Sequence, residues 1–361
     1  MKGAARPAQL PQLTTLCFFA AMYVLVFHSG TSMLERNGLT GPTLNFLKNG
    51  YLGVSFFFIL SGFILTHSYF GRLWTGQDLK RFAIARFARI YPVYAFALLL
   101  AAPLEYEPLS DLPLALATIA LVQSWGPASS PAGFFWNSPG WTLSVEFFFY
   151  ILFPLVLPMF ARLKGRGLWI AVAATAMTMV VLRLPALTPD SGQRLVAEWM
   201  RAIPLPLLRA PEFFLGILIA RLYQGNMLRS LRLDIFPLTA TLVTGILLAM
   251  TSADWVGAWA AIGFAAIIAT CAVNDGLVRR ILSSSLLVLL GGASYALYIL
   301  QSPVRDWTYI AFAGDMALLG RVIYQPLLIL ASIAVFLLLE EPARQLLRGR
   351  SLKRRAPAAN A

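Results

Sequence analysis

Four polar side chains stand where a strongly apolar chain accommodates them least. His28 closes the run Tyr23-Val-Leu-Val-Phe-His28 and is one of two histidines in the chain. Glu146 lies in Trp141-Thr-Leu-Ser-Val-Glu146-Phe-Phe-Phe-Tyr150, and Glu212 in Arg209-Ala-Pro-Glu212-Phe-Phe-Leu-Gly216. Gln301 follows Ser294-Tyr-Ala-Leu-Tyr-Ile-Leu300. Polar groups inside an apolar span are expensive, so each is a candidate functional residue. An imidazole oriented by a carboxylate is a general-base pair, able to take a proton from a hydroxyl near neutral pH. The same residues fit a plainer role, with His28 at an interface and Glu146 as a helix-packing partner. Residue type alone does not decide between the two.

Arg86 and Arg89, in Arg86-Phe-Ala-Arg89-Ile-Tyr-Pro92, are three apart and share a helix face. A guanidinium pair suits phosphate groups. It equally suits anchoring a helix end at the cytoplasmic surface. His67, beside Thr66 and Ser68, reads as structural. No cluster supplies three or four metal ligands, so no metal is expected. Nothing matches a phosphate-binding Gly loop or a nucleophile elbow. Ser61-Gly62, set among Ile59, Leu60 and Phe63, reads as a small pair for close helix packing.

These residues need elements to carry them, and composition says which. Of 361 residues, 58% are hydrophobic and 12% charged. A soluble domain is about a quarter charged, so an ordinary soluble enzyme is excluded, as is a disordered chain. Cys17 and Cys271 both sit in apolar runs, so no disulfide framework is implied. A net charge of +13 would suggest nucleic acid in a soluble protein. Here it falls in short clusters between apolar runs, which is membrane topology information, and no nucleic-acid partner is expected.

A spanning helix needs about 20 mostly apolar residues. Ten candidates meet that pattern: about 11–31, 50–70, 87–104, 140–160, 167–184, 205–222, 234–252, 255–273, 286–304 and 318–340. Basic clusters lie at Lys2 and Arg6, Arg72 to Arg89, Arg162 to Arg166, Arg221 to Arg232, Arg279 and Arg280, and Arg344 to Arg355. All fall on one side if the short apolar stretch at about 112–125 does not cross. Glu105, Glu107, Asp111, Asp190, Asp254 and Asp315 then lie on the other side. The expected fold is all-α: a polytopic membrane helical bundle with about ten transmembrane helices plus one re-entrant or surface helix. Both termini are expected in the cytoplasm, in a multi-pass protein of the cell (inner or plasma) membrane surrounded by its lipid. No cleavable signal peptide and no transporter-type internal repeat are expected. The membrane domain is expected over 1–347 and a basic, disordered cytoplasmic tail over 348–361. In this topology His28, Glu146 and Gln301 all fall in the outer half of the bundle.

In chain order these motifs resemble the acyltransferase 3 family of multi-pass membrane O-acyltransferases. Val26-Phe-His28 is similar to the place where that family has its essential histidine. Gly53-Val-Ser-Phe-Phe-Phe-Ile-Leu-Ser-Gly-Phe63 resembles its Phe-Phe-x-Leu-Ser-Gly-Phe stretch. Arg86 to Pro92 resembles Arg-x-x-Arg-Ile-x-Pro, and Trp141 to Glu146 resembles Trp-Ser-Leu-x-x-Glu. The elements Arg209 to Gly216, Ser294 to Tyr298 and Glu340-Glu-Pro-Ala-Arg344 follow in family order. The resemblance covers nearly the whole chain. It departs at Cys17, where the family usually has arginine eleven positions before the histidine. It departs again at Gln301, where many members have histidine; glutamine hydrogen-bonds but cannot carry a proton.

The resemblance implies an acyltransferase that moves an acyl group, expected to be acetyl, from cytoplasmic acyl-CoA to a hydroxyl of a glycan or related acceptor. His28 would be the catalytic histidine and Glu146 the acidic residue of the site. Arg86 and Arg89 would belong to the donor region. Trp141, Glu212, Tyr295 and Gln301 are the further substrate- or donor-contact candidates. No permanently bound cofactor is implied; acyl-CoA (acetyl-CoA) is a substrate. A transporter or flippase is the competing class, and acyl-CoA dependence separates the two. An inactive homologue would fit Cys17 and Gln301. Oligomeric state is not legible.

Overall fold

The computed structural model describes residues 9–72, 74–104, 111–182, 202–251, 255–312 and 318–353. Lys2, Arg6, Glu105, Glu107, Asp190, Asp254 and Asp315, used above to orient the chain, lie outside the described residues, as does the tail over 354–361. The described residues are helical, with no strand and one isolated bridge between Pro127 and Pro204.

Among the described residues, fourteen α-helices can be numbered in chain order: α1 Pro11–Arg36, α2 Gly41–Lys48, α3 Gly53–Tyr69, α4 Gly76–Ala101, α5 Leu112–Ile119, α6 Gly140–Ala161, α7 Arg166–Val181, α8 Leu205–Gln224, α9 Ile235–Met250, α10 Val256–Val273, α11 Leu277–Leu282, α12 Ser285–Ala311, α13 Leu318–Val335 and α14 Glu341–Lys353. Seven segments among them are long and apolar enough to cross a membrane: 11–36, 41–69, 76–101, 140–161, 256–273, 285–311 and 323–347. Helices α7 and α9 are apolar but shorter. Helix α8 carries Arg209, Glu212 and Arg221. The expected boundary at 347 falls inside α14.

Local chemistry sets several of these ends. Helix α4 starts at Gly76 because the Thr75 hydroxyl accepts the Asp78 backbone N–H at 3.2 Å, an N-cap. Asp111 caps α5 in the same way through Leu114 N–H at 3.0 Å. Helix α5 has eight residues, about 12 Å of rise, far short of the ~30 Å hydrocarbon core. It ends before Leu121, whose φ of 60° leaves the helical region.

The chain divides into two compact units. Unit 1 comprises residues 1–71, 124–130 and 151–292. Its centre is the crossing of α3 and α8. A Cβ on Gly62 would sit 2.1 Å from the Phe213 carbonyl oxygen, and one on Gly216 would sit 1.9 Å from that of Ile59. The two backbones therefore touch, as small residues permit between membrane helices. Around the crossing lie Phe56, Ile59, Phe63, Leu215, Leu218 and Phe264, all buried. Polar ties finish the unit. Gln12 donates to the Cys271 carbonyl at 3.2 Å and Thr15 to that of Leu282 at 2.6 Å. Arg221 donates to the carbonyls of Ala161 and Leu163 and lies 3.9 Å over the Phe70 ring. His67 packs its ring against Phe63 and Tyr223.

Unit 2 comprises residues 72–123, 131–150 and 293–361. Side chains of α12 and the α5–α6 connection bind main-chain oxygens. Tyr295 donates to Ile90 O at 2.5 Å, Trp307 to Leu100 O at 2.9 Å and Trp136 to Leu98 O at 3.1 Å. Between α13 and α14 the chain widens into one π-helical turn, Phe336–Glu340. Pro342 accounts for it: proline has no N–H and its ring clashes with the carbonyl four residues back, so the turn before it relaxes.

The α3–α8 contact leads to a stability prediction. Gly216→Ala pushes a methyl group into the Ile59 carbonyl and should destabilise the protein by about 2 kcal/mol or more. Gly167→Ala, at a helical glycine with open space around it, should be neutral or slightly stabilising. Thermal unfolding of the purified variants in detergent checks both.

Candidate active site

In unit 2 the arginines of α4 and the carboxylates of α6 and the π turn form one network. Glu340 is fully buried and faces Arg89, its closest partner. Arg344, one turn further on in α14, lies 3.9 Å from the same carboxylate oxygen of Glu340 and 3.0 Å from Glu341. The Arg89 guanidinium also lies 5.6 Å over the Tyr295 ring. Arg86, one turn earlier on α4, lies 5.9 Å from the Phe82 ring centre and 5.7 Å from that of Tyr150. Tyr150 in turn donates its hydroxyl to Glu146 at 2.6 Å.

The chain builds this network from helical periodicity. Arg86 and Arg89 are three apart, and Glu146 and Tyr150 four apart, so each pair shares one helix face. The π turn places Glu340 opposite Arg89. A buried carboxylate demands such a partner, because the effective cost of taking one ion out of water is several kcal/mol. Arginine suits that position because it stays charged, forks two ways and stacks on aromatic faces.

Of the residues singled out from the sequence, Arg86, Arg89, Glu146 and Tyr295 come together in this network. Tyr150, Glu340 and Arg344 join them without having been singled out. The signals were present: Tyr150 is one helical turn from Glu146, and Glu340 and Arg344 frame a proline that interrupts a helix. Trp141 is half-buried in the first turn of α6. Gln301 is buried in α12 and donates its amide N–H to Tyr298 O at 2.9 Å.

Two candidates belong to unit 1. His28 is exposed on α1, its ring edge-on to Phe27. Glu212 is buried on α8, where one carboxylate oxygen accepts the Ser55 hydroxyl at 3.0 Å. The other lies 3.1 Å from Arg209, an ion pair without hydrogen-bond alignment. Arg209 also donates to the Ser55 oxygen at 3.2 Å and lies 5.3 Å over Phe58. The Glu212 carboxylate thus ties α8 to α3. Ser55 and Arg209 were not singled out, although Arg209 and Glu212 stand at the i, i+3 spacing of a helical ion pair. Among the described residues no group of three or more His, Cys, Asp or Glu could hold a metal ion.

Removing one half of a buried pair leaves the other uncompensated. Arg89→Met should therefore destabilise unit 2 by about 3 kcal/mol, an effect softened by Arg344. The double replacement Arg89→Met with Glu340→Met should recover most of that loss. A double-mutant cycle on thermal stability checks this, with a coupling energy near zero as the contrary result.

Comparison with known proteins adds the family. A family profile described as an acyltransferase domain matches residues 13–341. "Acyltransferase MdmB" of Streptomyces mycarofaciens is 30% identical over 332 residues, covering 86% of this chain and 83% of that protein. "O-acetyltransferase OatA" of Staphylococcus aureus is 26% identical over 348 residues; the match covers 88% of this chain but 53% of OatA. "Protein 2 in picA locus" of Rhizobium radiobacter is 49% identical over 55 residues, 15% of this chain and 29% of that protein. No solved structure matches. With the family profile spanning nearly all of it, this helical, membrane-type chain belongs to the acyltransferase 3 family and is an acyltransferase.

Proposed function

We propose that the protein transfers an acyl group, acetyl by preference, from cytoplasmic acetyl-CoA to a hydroxyl of a cell-envelope glycan or related acceptor. The observation that carries this reading is the network of Arg86, Arg89, Glu146, Tyr150, Tyr295 and Glu340. It is built from the segments in which the chain resembles its family. The name of OatA supports acetyl as the group moved.

In this mechanism His28 takes the proton from the acceptor hydroxyl as the oxygen attacks the thioester carbonyl. The tetrahedral intermediate collapses, the C–S bond breaks, and the CoA thiolate leaves with the proton returned from the imidazolium. Glu146 is assigned to orient the imidazole and to stabilise its charge. That pairing rests on the two residue types and on the family motifs. Arg86 and Arg89 are assigned to the CoA phosphates. Glu340 holds Arg89 in place, and the two guanidinium groups lie beside aromatic faces, a disposition suited to anions.

The topology proposed has ten spans with both termini cytoplasmic. It adds α7, α8 and α9 to the seven long helices. The charges of α8 are engaged within unit 1 by Ser55, the Ala161 and Leu163 carbonyls and Phe70, so they need not face lipid. Helices α7 and α9, of 16 residues each, rise about 24 Å and need modest bilayer thinning. Helix α1 begins at Pro11, so His28 lies about 25 Å along it. Either the site lies deeper toward the cytoplasm than the apolar boundaries place it, or the acyl group travels through the bundle.

Labelled acetyl transfer from acetyl-CoA into envelope glycans tests the reading. His28→Ala should lower incorporation by at least about 100-fold, the usual worth of a general base. It should leave thermal stability unchanged, since the side chain is exposed. Equal label with wild type and variant would contradict it.

A further inference from the structure

A second polar cluster in unit 2 lies apart from the arginine network. Gln123, Asn137 and Gln301 are 5%, 2% and 4% exposed. Each amide is oriented by its own N–H. Gln301 Nε2 donates to Tyr298 O at 2.9 Å, and Asn137 Nδ2 to Ile299 O at 3.1 Å. Gln123 Nε2 donates to Gly140 O at 3.3 Å and reaches Tyr94 Oη at 3.4 Å. Turning any of these amides over would set oxygen against a carbonyl oxygen, so the assignments hold.

Sequence and backbone explain the anchors. Ile299 O lacks its helical donor because Pro303, four residues on, has no N–H; the Asn137 amide supplies one. Gly140 leaves room for Gln123, since a Cβ there would lie 3.3 Å from the Tyr94 ring and 3.5 Å from Gln123 Nε2. Asn137 O accepts Gly140 N–H at 2.8 Å. The three residues are thus joined through Gly140, three residues after Asn137, and through Ile299, two residues before Gln301.

The consequence lies in the other half of each amide. Gln123 Oε1, Asn137 Oδ1 and Gln301 Oε1 are all buried acceptors with no donor among the described residues. Buried polar atoms are rarely left so, and three in one cluster suit the hydroxyl donors of a bound molecule. A set of acceptors alone repels phosphate and carboxylate. It suits neutral O–H groups, several on one molecule.

We propose that Gln123, Asn137 and Gln301 form a subsite for a saccharide, their three amide oxygens accepting sugar hydroxyls. This deepens the acyl-acceptor reading and rests on it. It assigns position 301 to acceptor recognition, which glutamine performs without carrying a proton.

The test uses purified full-length protein in detergent and methyl glycosides of glucose, galactose, mannose and N-acetylglucosamine, read by the thermal midpoint. At least one should raise the midpoint of the wild type. Gln123→Met and Gln301→Met should each need about tenfold more of it for the same rise, the worth of one buried hydrogen bond. The subsite is overturned if no glycoside moves the wild type, if all three proteins respond alike, or if sodium or potassium chloride alone moves it. Acetyl-CoA is titrated in parallel. Stabilisation of both variants by acetyl-CoA shows that they are folded. Failure of acetyl-CoA to bind the wild type would count against the transferase reading and leave the glycoside result standing on its own.

Discussion

The fully buried Glu340 carboxylate must be neutralised, and the way this is done organises unit 2. Arg89 reaches it from α4, and Arg344 approaches from α14. Between residues so far apart in the chain, a buried ion pair sets which helix faces which. It contributes less to stability than its Coulomb attraction suggests, because desolvation offsets most of that attraction. Its worth lies in specificity: Arg89 is held where its guanidinium also covers Tyr295. The π turn before Pro342 is the local distortion that brings Glu340 to the pair, and such turns recur at functional sites.

Unit 1 meets the same demand differently. Its buried charges are tied on one side to the same helix, Glu212 to Arg209, and on the other to distant segments, Glu212 to Ser55 of α3 and Arg221 to the Ala161 carbonyl. The α3–α8 crossing is held by bare backbone contact at Gly62 and Gly216. His28, by contrast with these buried charges, is exposed. An imidazole that must take and return a proton needs access to substrate and water, whereas a structural charge needs the reverse.

Much of this was legible in the chain. Each of the ten apolar runs corresponds to a helix, because 3.6-residue periodicity and apolar length leave few alternatives. Arg86 with Arg89 and Glu146 with Tyr150 could be paired by spacing alone. Other features were hidden. Helix α1 runs to Arg36 and α4 starts at Gly76, beyond their apolar runs, since hydropathy marks the lipid-buried part and not its polar extensions. Helix α2 went unread because Gly41 and Pro42 look like loop, yet proline is at home in a first helical turn. The partner of Glu340 is 251 residues away in sequence, and no local pattern connects them. The amide cluster around Gln301 was equally silent, as it depends on which carbonyls α12 leaves without donors.

Arg86 and Arg89 are central to the proposed reaction because they are the groups assigned to the CoA phosphates. Direct binding of acetyl-CoA to the purified protein tests that assignment most closely, wild type against Arg86→Gln. Arg86 can be replaced without breaking the Glu340 pair. The wild type should bind saturably, and the variant should bind about tenfold more weakly, the usual loss for one charge-assisted phosphate contact. Unchanged affinity in Arg86→Gln, or no binding by the wild type, would contradict the assignment.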